Sequence, residues 1–318
     1  MLTVVAVVVM ALLLVGFATT SFVSAREASR YKASGSFVTV DGRRVHYQCS
    51  GTGSPTVVFE SGFGGTSLDW ALVQPEIAKR TRTCSYDRAG YGWSDPPKVH
   101  SLATIRRDFE AVLTAAHVDG PIVLVGHSFG GLLALDYASR HPNRVAGLVL
   151  VDAATKPTYL RMNAAIPAFF KKGKQLAIVI RIGGVLSRFG VTRLINQPVS
   201  PKTTAPDVRG EYRALGFRPA GYGAYADDLD ATASYVHAAE DTPPTDIPAV
   251  VLTHAEPGTM WSGIPAERAE SIWQDEQTKL ANRFHARHEI VRGTGHFIQV
   301  LRPDAVIEAI RDVTARLR

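Results

Sequence analysis

The stretch that decides the fold is Ile122–Ala138, which reads "IVLVGHSFGGLLALDYA". Its first half is a run of β-branched and aliphatic residues that ends at Gly126, a pattern typical of a buried strand. Its second half, after Gly130 and Gly131, is rich in alanine and leucine and predicts a helix. Ser128 lies between the two halves. It is either a nucleophile at a sharp strand-to-helix turn or a polar residue that caps the helix.

The five residues Gly126-His127-Ser128-Phe129-Gly130 match the G-x-S-x-G pattern of a nucleophile elbow. In this turn a strained backbone projects the serine hydroxyl, and side chains at positions 126 and 130 would collide with the neighbouring strand and helix. The helix N-terminus also favours the negative charge that develops during acyl transfer. With a strand before the motif and a helix after it, we predict that Ser128 is a nucleophile.

A serine nucleophile requires a base and an orienting acid. The predicted base is His296, in "GTGHFIQ", because it follows the last predicted strand and precedes the final helix. We expect His127, beside the serine, to point away in that turn. Other histidines are predicted to be surface or strand residues: His46, His254, His285 and His288.

Two carboxylates compete for the role of the acid. Asp152, in "LVLVDAA", ends the strand after the serine's helix, where ligand-facing groups gather in open α/β sheets. Glu256, in "VLTHAEPG", follows the next strand. Either choice gives the chain order serine, acid, histidine. We predict Asp152, with Glu256 as the alternative acid and a structural capping carboxylate as the non-catalytic interpretation of Asp152.

The bulk composition indicates a globular chain without a metal or nucleic-acid partner. The chain has 318 residues, of which 46% are hydrophobic, and this favours one large domain or one domain with an insertion. Its net charge of +6 is not gathered into basic runs, which argues against nucleic acid. Cys49 and Cys84 cannot form a metal cluster alone, so they are free thiols or one disulfide. No metal or organic cofactor is implied.

The N-terminus is uncharged from Met1 to Val23 and almost wholly aliphatic. As a helix, about 18 residues at roughly 1.5 Å each span most of a hydrocarbon core of about 30 Å. The segment is a membrane anchor, or a signal peptide cleaved near Val23-Ser24-Ala25, after which the protein would be secreted. The missing basic n-region favours the anchor. The residues that follow the segment put the domain in the cytoplasm by the positive-inside rule: Arg26, Arg30 and Lys32 against Glu27.

Strand-like and helix-like segments alternate along the chain, which predicts an α/β fold with a mostly parallel sheet covered by helices on both faces. The alternation stops near Thr155 and resumes near Ile247, so residues 155–246 form a predicted helical cap. A long apolar run within this cap carries spaced Lys and Arg. It is either a lid helix packed over the core or a membrane-surface element. The predicted segments are 1–25 (anchor or signal), 26–34 (linker), 35–154 and 247–318 (core) and 155–246 (cap).

From about Phe37 to its C-terminus the chain resembles the α/β-hydrolase superfamily, in particular the serine esterase and lipase branch with a cap between strands 6 and 7. The resemblance rests on five segments: "ESGFGGTSLDW", "SYDRAGYGWSD", "VLVGHSFGG", "LVLVDAA" and "GTGHFIQ". It implies an eight-stranded, mostly parallel sheet. It also implies that the acid follows either the seventh strand or, in some members, the sixth strand, where Asp152 lies.

The same resemblance implies an oxyanion hole made of two backbone N–H groups. The family's loop after the third strand usually carries a His-Gly pair, which is replaced here by Ser61-Gly62, so the first donor is the Phe63 amide. The second donor is the Phe129 amide, directly after the nucleophile. In the family the second and fourth strands are neighbours, so Cys49 and Cys84 can form a disulfide. A disulfide would place the domain outside the cytoplasm, against the positive-inside count.

The resemblance also narrows the reaction. Haloalkane dehalogenases and epoxide hydrolases of this fold use an aspartate nucleophile, and Ser128 argues against both. We therefore predict a hydrolase that cleaves a hydrophobic carboxylic ester through a Ser-His-Asp triad and an acyl-enzyme. The alternatives are carbon–carbon bond hydrolysis by the same triad and a non-catalytic binding protein. The expected partners are a small-molecule ester and, through the N-terminal segment, a membrane.

Overall fold

The computed structural model describes residues 1–195, 208–256, 260, 261 and 263–317. Within them, one eight-stranded sheet forms the centre of the protein. Its strands are β1 (Ser36–Val40), β2 (Arg43–Ser50), β3 (Thr56–Glu60), β4 (Thr83–Tyr86), β5 (Ile122–His127), β6 (Val145–Val151), β7 (Ala249–His254) and β8 (Arg287–Val291). Their order across the sheet is β1-β2-β4-β3-β5-β6-β7-β8, with β2 antiparallel to both of its neighbours and the other pairs parallel. The predicted fold class is confirmed.

Helices cover both faces of the sheet. They are α1 (Leu2–Arg30), α2 (Gln74–Ala78), α3 (Leu102–Ala115), α4 (Phe129–Arg140), α5 (Lys156–Ala165), α6 (Phe169–Ser187), α7 (Val191–Leu194), α8 (Arg209–Gly216), α9 (Pro219–Ala238), α10 (Ala266–Arg283), α11 (Ile298–Leu301) and α12 (Pro303–Ala315). Helices α3, α4 and α10 pack on one face, and α2 and α12 on the other. Because side chains alternate along a strand, Val57 and Phe59 of β3 face the second layer while Val58 faces the first.

The turn between β1 and β2 follows from its two residues. Asp41 and Gly42 both have positive φ angles, 51° and 77°, so the turn has the left-handed geometry that suits the twist of a two-residue hairpin. Val40 pairs with Arg43 across it.

The parallel strands end at the same edge of the sheet, and this edge gathers the polar side chains. Ser128 directly follows β5 and Asp152 directly follows β6. His254 is the last residue of β7, and the loop after β8 carries His296. Because these strands are neighbours in the order β5-β6-β7-β8, side chains far apart in sequence meet there.

Five described helices, α5 to α9, lie between β6 and β7, in the region predicted as the cap. Helix α6 packs closely on α9 because its contact face carries small residues: a Cβ at Gly184 would lie 2.9 Å from Tyr222 Cβ, and Ala177 is buried. Residues 196–207 of the predicted cap lie outside the described residues. The exact division between core and cap stays a prediction.

Helix α1 is long and apolar enough to cross a membrane. It leaves almost all of its apolar side chains exposed. It touches the cap at its C-terminal half, where the Glu27 carboxylate accepts two hydrogen bonds from Arg193. Length and composition alone do not distinguish an anchor from a signal sequence.

Cys49 on β2 and Cys84 on β4 lie directly opposite each other and are joined in a disulfide. The bond closes a loop with a sequence separation of 35 residues.

Constraining an unfolded loop of that length stabilises the native state by about 4 kcal/mol in the chain-entropy model. We expect reduction to lower the free energy of unfolding by about this amount, measured by urea unfolding with and without reductant. The C49S/C84S double variant is the control, and reductant should leave its unfolding curve unchanged.

Candidate active site

Ser128 lies in a sharp turn between β5 and α4. Its φ of 54° and ψ of −124° are strained for a residue with a side chain. The flanking glycines are required by space, since a Cβ at Gly126 would lie 2.6 Å from the Gly130 carbonyl oxygen. A Cβ at Gly130 would lie 2.2 Å from the carbonyl oxygen of Glu60 on β3. The elbow therefore holds the serine hydroxyl above the edge of the sheet.

A chain of hydrogen bonds links Ser128, His296 and Asp152. The Ser128 hydroxyl donates to His296 Nε2 across 2.8 Å, and His296 Nδ1–H donates to Asp152 Oδ2 across 2.6 Å. The Asp152 side chain is fully buried, whereas that of His296 is 15% exposed. The structure thus brings together the predicted nucleophile, base and acid, although 144 residues separate His296 from Asp152 in sequence.

The alternative acid, Glu256, does not reach the imidazole. Its carboxylate accepts a hydrogen bond from the Thr294 backbone N–H at 3.1 Å. Thr294 lies two residues before His296, in the loop after β8. Glu256 therefore holds this loop in place, while Asp152 contacts the histidine itself.

Asp152 is held by more groups than a triad requires. Trp273 Nε1–H on α10 donates to its Oδ1 at 2.9 Å, and the His254 backbone N–H donates to the same oxygen at 3.3 Å. Its Oδ2 accepts from both His296 and His254, each at 2.6 Å. Burial alone would raise the pKa of Asp152, but the hydrogen bonds from His254 and His296 outweigh it and hold the pKa well below its usual range. Asp152 is therefore ionised at neutral pH.

His254 is a second, fully buried imidazole on the same carboxylate. Its Nδ1–H donates to Asp152 and its Nε2–H donates to Glu270 on α10 at 3.2 Å. Burial lowers the pKa of His254, but its bonds to Asp152 and Glu270 outweigh burial and raise it to about 9. At neutral pH a buried imidazolium therefore lies between two carboxylates. The sequence analysis placed His254 on a strand and missed this contact, although its place at the end of β7 was a usable signal.

Glu270 is itself held from two sides. Trp261 Nε1–H donates to its Oε2 at 2.7 Å, and the Gln274 side-chain amide donates to its Oε1 at 2.7 Å. The Asp152, His254 and His296 donor atoms all lie within 4.8 Å of one another, as metal ligands would. However, both imidazole N–H groups point at one carboxylate oxygen, so the directions that a metal ion would need are taken by protons.

The prediction that His127 points away from the site is wrong. Its ring lies 4.7 Å from the His296 ring, and its Nε2–H donates to the His296 carbonyl oxygen at 2.8 Å. Burial and the nearby His296 lower the pKa of His127 to about 3, so the ring is neutral. Because side chains alternate along β5, His127 lies on the same face of the sheet as Val123 and Val125, under the loop that carries the catalytic histidine candidate. His127 thus supports that loop.

The predicted oxyanion loop lies directly against the nucleophile. A Cβ at Gly62 would lie 2.9 Å from Ser128 Cβ, so only glycine allows this approach. The next residue, Phe63, stacks its ring on that of Phe129, with centroids 4.0 Å apart. Phe129 is the first residue of α4, and amides in the first turn of a helix have no intrahelical acceptor. These positions suit two N–H donors beside the Ser128 hydroxyl.

A buried arginine shapes this loop, and the sequence analysis missed it. Arg88 donates to the carbonyl oxygens of Ser61 and Gly62 and forms an ion pair with Glu60 at 2.9 Å. Its guanidinium also lies 5.5 Å from the centroid of the Phe129 ring. By binding the carbonyl side of the loop, Arg88 orients the opposite side, with its N–H groups, toward Ser128.

The segment from residue 55 to 180 matches the family model described as the alpha/beta hydrolase fold. The matched region includes β3, the elbow, Asp152 and the start of the cap. Together with the eight-stranded sheet, this match places the fold of the chain in the α/β-hydrolase superfamily.

One curated relative and two solved structures illustrate what this chain is similar to. A haloalkane dehalogenase from Sphingobium indicum is 33% identical over 126 residues, which cover 38% of this chain and 42% of that protein. The enol-lactonase from Burkholderia xenovorans LB400 superposes with a TM-score of 0.61 at 22% identity, covering 88% of this chain and all of that one. A thermophilic esterase from Thermogutta terrifontis has a TM-score of 0.61 at 21% identity and covers 89% and 99%. The two structural similarities concern the fold. Several curated relatives, the dehalogenase among them, are matched over less than half of their own length.

The cap closes over the serine with aromatic side chains. Phe129 and Tyr235 of α9 have ring centroids 5.6 Å apart, and both belong to one apolar cluster. Phe63, Tyr159 and Phe170 pack against the same cluster. Its polar end is Asp228, which accepts hydrogen bonds from Tyr91 at 2.8 Å and Tyr235 at 3.0 Å. The surroundings of Ser128 are therefore mainly apolar.

The imidazolium of His254 makes the stability of the protein depend on pH. Its pKa is about 9 in the folded protein against 6.5 for the unperturbed group, so its contribution is complete below pH 6.5 and is lost as pH rises through about 9. We expect the free energy of unfolding to fall over this range and the H254Q variant to lose much of that dependence. Urea unfolding at several pH values measures it.

H288Q is the matched control for H254Q. His288 lies on the neighbouring strand β8, its Nε2 bonds to the Thr253 hydroxyl at 2.9 Å, and burial lowers its pKa. H288Q should keep the fall in stability between pH 6.5 and 9. An H254Q curve parallel to that of the wild type would show that His254 is not the group that titrates.

Proposed function

We propose that the protein is a serine hydrolase that cleaves carboxylic esters through an acyl-enzyme. The observation that carries the proposal is the continuous chain of hydrogen bonds from the Ser128 hydroxyl through His296 to buried Asp152, at 2.8 Å and 2.6 Å. These distances are those of a nucleophile, a general base and an orienting carboxylate.

In the first half of the reaction, Ser128 Oγ attacks the ester carbonyl carbon while its proton passes to His296 Nε2. The negative charge that develops on the carbonyl oxygen is stabilised by the Phe63 and Phe129 amides. Asp152 holds the imidazole in the tautomer with Nδ1–H and stabilises its protonated form. The tetrahedral intermediate then expels the alkoxide, which takes the proton from His296, and the acyl group stays on Ser128.

In the second half, water enters as the nucleophile. His296 Nε2 accepts a proton from this water as its oxygen attacks the acyl carbonyl carbon. Collapse of the second tetrahedral intermediate returns the proton to Ser128 Oγ and releases the carboxylic acid. The same amides and the same Asp152 carboxylate act in both halves, so no other charged group is required.

The surroundings of Ser128 favour a hydrophobic ester. Four aromatic side chains form an apolar surface beside the elbow, and we call them the aromatic wall: Phe63, Phe129, Tyr159 and Tyr235. A carboxylate nucleophile, which alkyl-halide chemistry on this fold would need, is absent from the elbow position because Ser128 occupies it. The resemblance to an esterase and an enol-lactonase agrees with acyl-transfer chemistry.

The proposal includes a membrane location. Helix α1 spans Leu2–Arg30, and the apolar side chains of its first part are exposed. Arg193 of the cap binds Glu27 of α1, so the helix is integrated into the folded protein at its C-terminal end. We expect α1 to be retained as a single-pass anchor that holds the catalytic domain at a bilayer.

The experiment that tests the proposal is labelling with a fluorophosphonate probe, followed by hydrolysis of p-nitrophenyl esters of increasing acyl length. The folded wild type should be labelled at Ser128 and should hydrolyse the esters, with a preference for longer acyl chains. S128A should not be labelled. A folded wild type without label at Ser128 would instead indicate a binding protein on the same fold. Labelling without ester turnover would point to carbon–carbon bond hydrolysis.

A further inference from the structure

One face of helix α6 is both apolar and exposed to solvent. Ile178, Val179, Ile182, Val185 and Leu186 are all exposed, at 39% to 62% of their full surface, and we call these five residues the apolar stripe. Their spacing of one, three and four residues puts them on one side of the helix. An exposed row of this length on one helix is a feature of interaction surfaces.

The opposite face of α6 is already used for packing inside the cap. Gly173, Ala177, Gly184 and Ser187 recur at three, four and seven residues, and this face lies on α9. Small side chains allow α6 to approach α9 closely, since a Cβ at Gly184 would lie only 2.9 Å from Tyr222 Cβ. The contact of α6 with α9 therefore leaves the apolar stripe uncovered. A helix that is apolar on both faces is typical of one that lies in contact with lipid or another apolar surface.

The stripe leads directly to the apolar N-terminal helix. Its C-terminal end, Leu186, is followed by Phe189, whose carbonyl oxygen would lie 2.5 Å from a Cβ at Gly16 of α1. A Cβ at the next residue, Gly190, would lie 2.7 Å from Thr20 Oγ1. On α1 these contacts fall where the aliphatic run gives way to the polar residues 19–21. The end of the stripe therefore lies at the level where α1 would leave a hydrocarbon layer.

Charge on α6 also suits a lipid surface. Lys171 and Lys174 on α6 are exposed, and so is Arg188, which directly follows the helix. Arg181 is bound to Asp227 and Asp230 of α9, so it serves the cap instead. Exposed basic side chains beside an apolar face are attracted to anionic headgroups at a membrane interface.

We propose that the apolar stripe rests in the acyl-chain region of the bilayer leaflet that α1 enters, and that hydrophobic esters reach Ser128 from this leaflet. The inference rests on the proposed ester hydrolysis for its second half and on the proposed anchor for its first. Helix α6 connects the two places: Phe170 in its first turn packs against the aromatic wall near Ser128, and Phe189 after its last turn touches α1. A substrate taken from the leaflet at the stripe would meet that wall.

The first test measures where the stripe lies. Both native cysteines are in the disulfide, so a single introduced cysteine can be labelled selectively. Full-length I182C, reconstituted in vesicles of phosphatidylcholine and phosphatidylglycerol, carries a polarity-sensitive fluorophore that spin-labelled lipids quench on contact. V9C within α1 is the reference for a site inside the bilayer. I290C on edge strand β8 is the reference for a site in water, and Ile290 is 47% exposed compared with 54% for Ile182.

Quenching at positions 9 and 182 but not at position 290 supports the proposal. Quenching at position 9 alone overturns it, because α1 would then be inserted while the stripe stays in water. If position 9 is not quenched, the anchor fails and the inference fails with it. If labelled I182C is not quenched and the same variant without the fluorophore forms disulfide-linked dimers as protein concentration rises, the stripe is covered by a second copy of the chain, and the proposal is overturned.

The second test measures substrate delivery. In V179D/I182D, two carboxylates oppose contact with lipid, and we expect the KM for a long-chain ester embedded in the vesicles to rise about tenfold or more. The kcat and KM for a short, water-soluble ester should stay at the wild-type level, because neither residue contacts the aromatic wall or Ser128. I290D is the matched control and should change neither substrate's kinetics. Equal losses on both esters would overturn delivery from lipid, whereas a wild type inactive on both would refute the ester hydrolysis itself.

Discussion

The S128A variant is expected to lose ester hydrolysis almost completely, with kcat lower by about 10⁶-fold, because no other group takes the place of the attacking oxygen. The residual rate would come from the oxyanion amides and from substrate binding, which remain intact. Initial rates with a p-nitrophenyl ester at saturating concentration measure the effect. The fold should persist, since the Ser128 hydroxyl contacts only His296 among the described residues.

S139A is the matched control for S128A. Ser139 lies in α4, the helix that the elbow begins, and its hydroxyl donates to the Leu135 carbonyl oxygen at 2.7 Å. Removing it changes the same helix without touching the triad candidates, so kcat should stay close to the wild-type value. Comparable rates for S128A and wild type would show that Ser128 is not the nucleophile.

The second large effect is expected from D152N, with kcat lower by about 10⁴-fold. An amide at this position would present an N–H₂ group or a weak acceptor to His296 and would no longer stabilise its protonated form. The substitution also leaves the His254 imidazolium with Glu270 as its remaining carboxylate partner, so some loss of stability should accompany the loss of rate. Turnover measured at a temperature well below the unfolding midpoint of the variant separates the two effects.

E256Q is the comparison that decides which carboxylate is the acid. Glu256 binds the Thr294 amide, and a glutamine carbonyl oxygen can accept the same hydrogen bond. We therefore expect a loss in kcat of no more than about tenfold, which a small displacement of the His296 loop would explain. Loss of turnover in E256Q but not in D152N would reverse the assignment.

Much of the catalytic candidate site was predictable because it depends on local patterns and strand order. The elbow around Ser128 is recognisable from a strand, two glycines and a helix that are adjacent in sequence. Asp152 directly follows its strand, His296 lies in the loop after its strand, and parallel neighbours end at one edge of a sheet. Their positions at this edge therefore follow from the alternation of strands and helices, and the structure brings the three side chains together as predicted.

The parts that sequence reasoning missed depend on side-chain direction and on distant elements. The orientation of His127 was predicted wrongly because alternation along β5, and not the elbow, directs its ring to the face that α12 covers, against a loop 169 residues away. The contact between His254 and Asp152 requires Glu270 and Trp273 from α10, a helix whose position no local pattern indicates. Arg88 was part of a recognised motif, but its hydrogen bonds to the oxyanion loop follow from the pairing of β3 with β4.

The sequence by itself determined the α/β alternation, the elbow with Ser128, the strand-end residues Asp152 and His296, and the apolar N-terminal segment. Each of these follows from periodicity or from neighbours in the chain. Only the tertiary structure decided that Cys49 faces Cys84, that Asp152 and not Glu256 meets the imidazole, and which face of α6 packs on the cap. The physical reason is that register, side-chain direction and burial are set when separate elements pack against one another, and a local pattern specifies only what each element is.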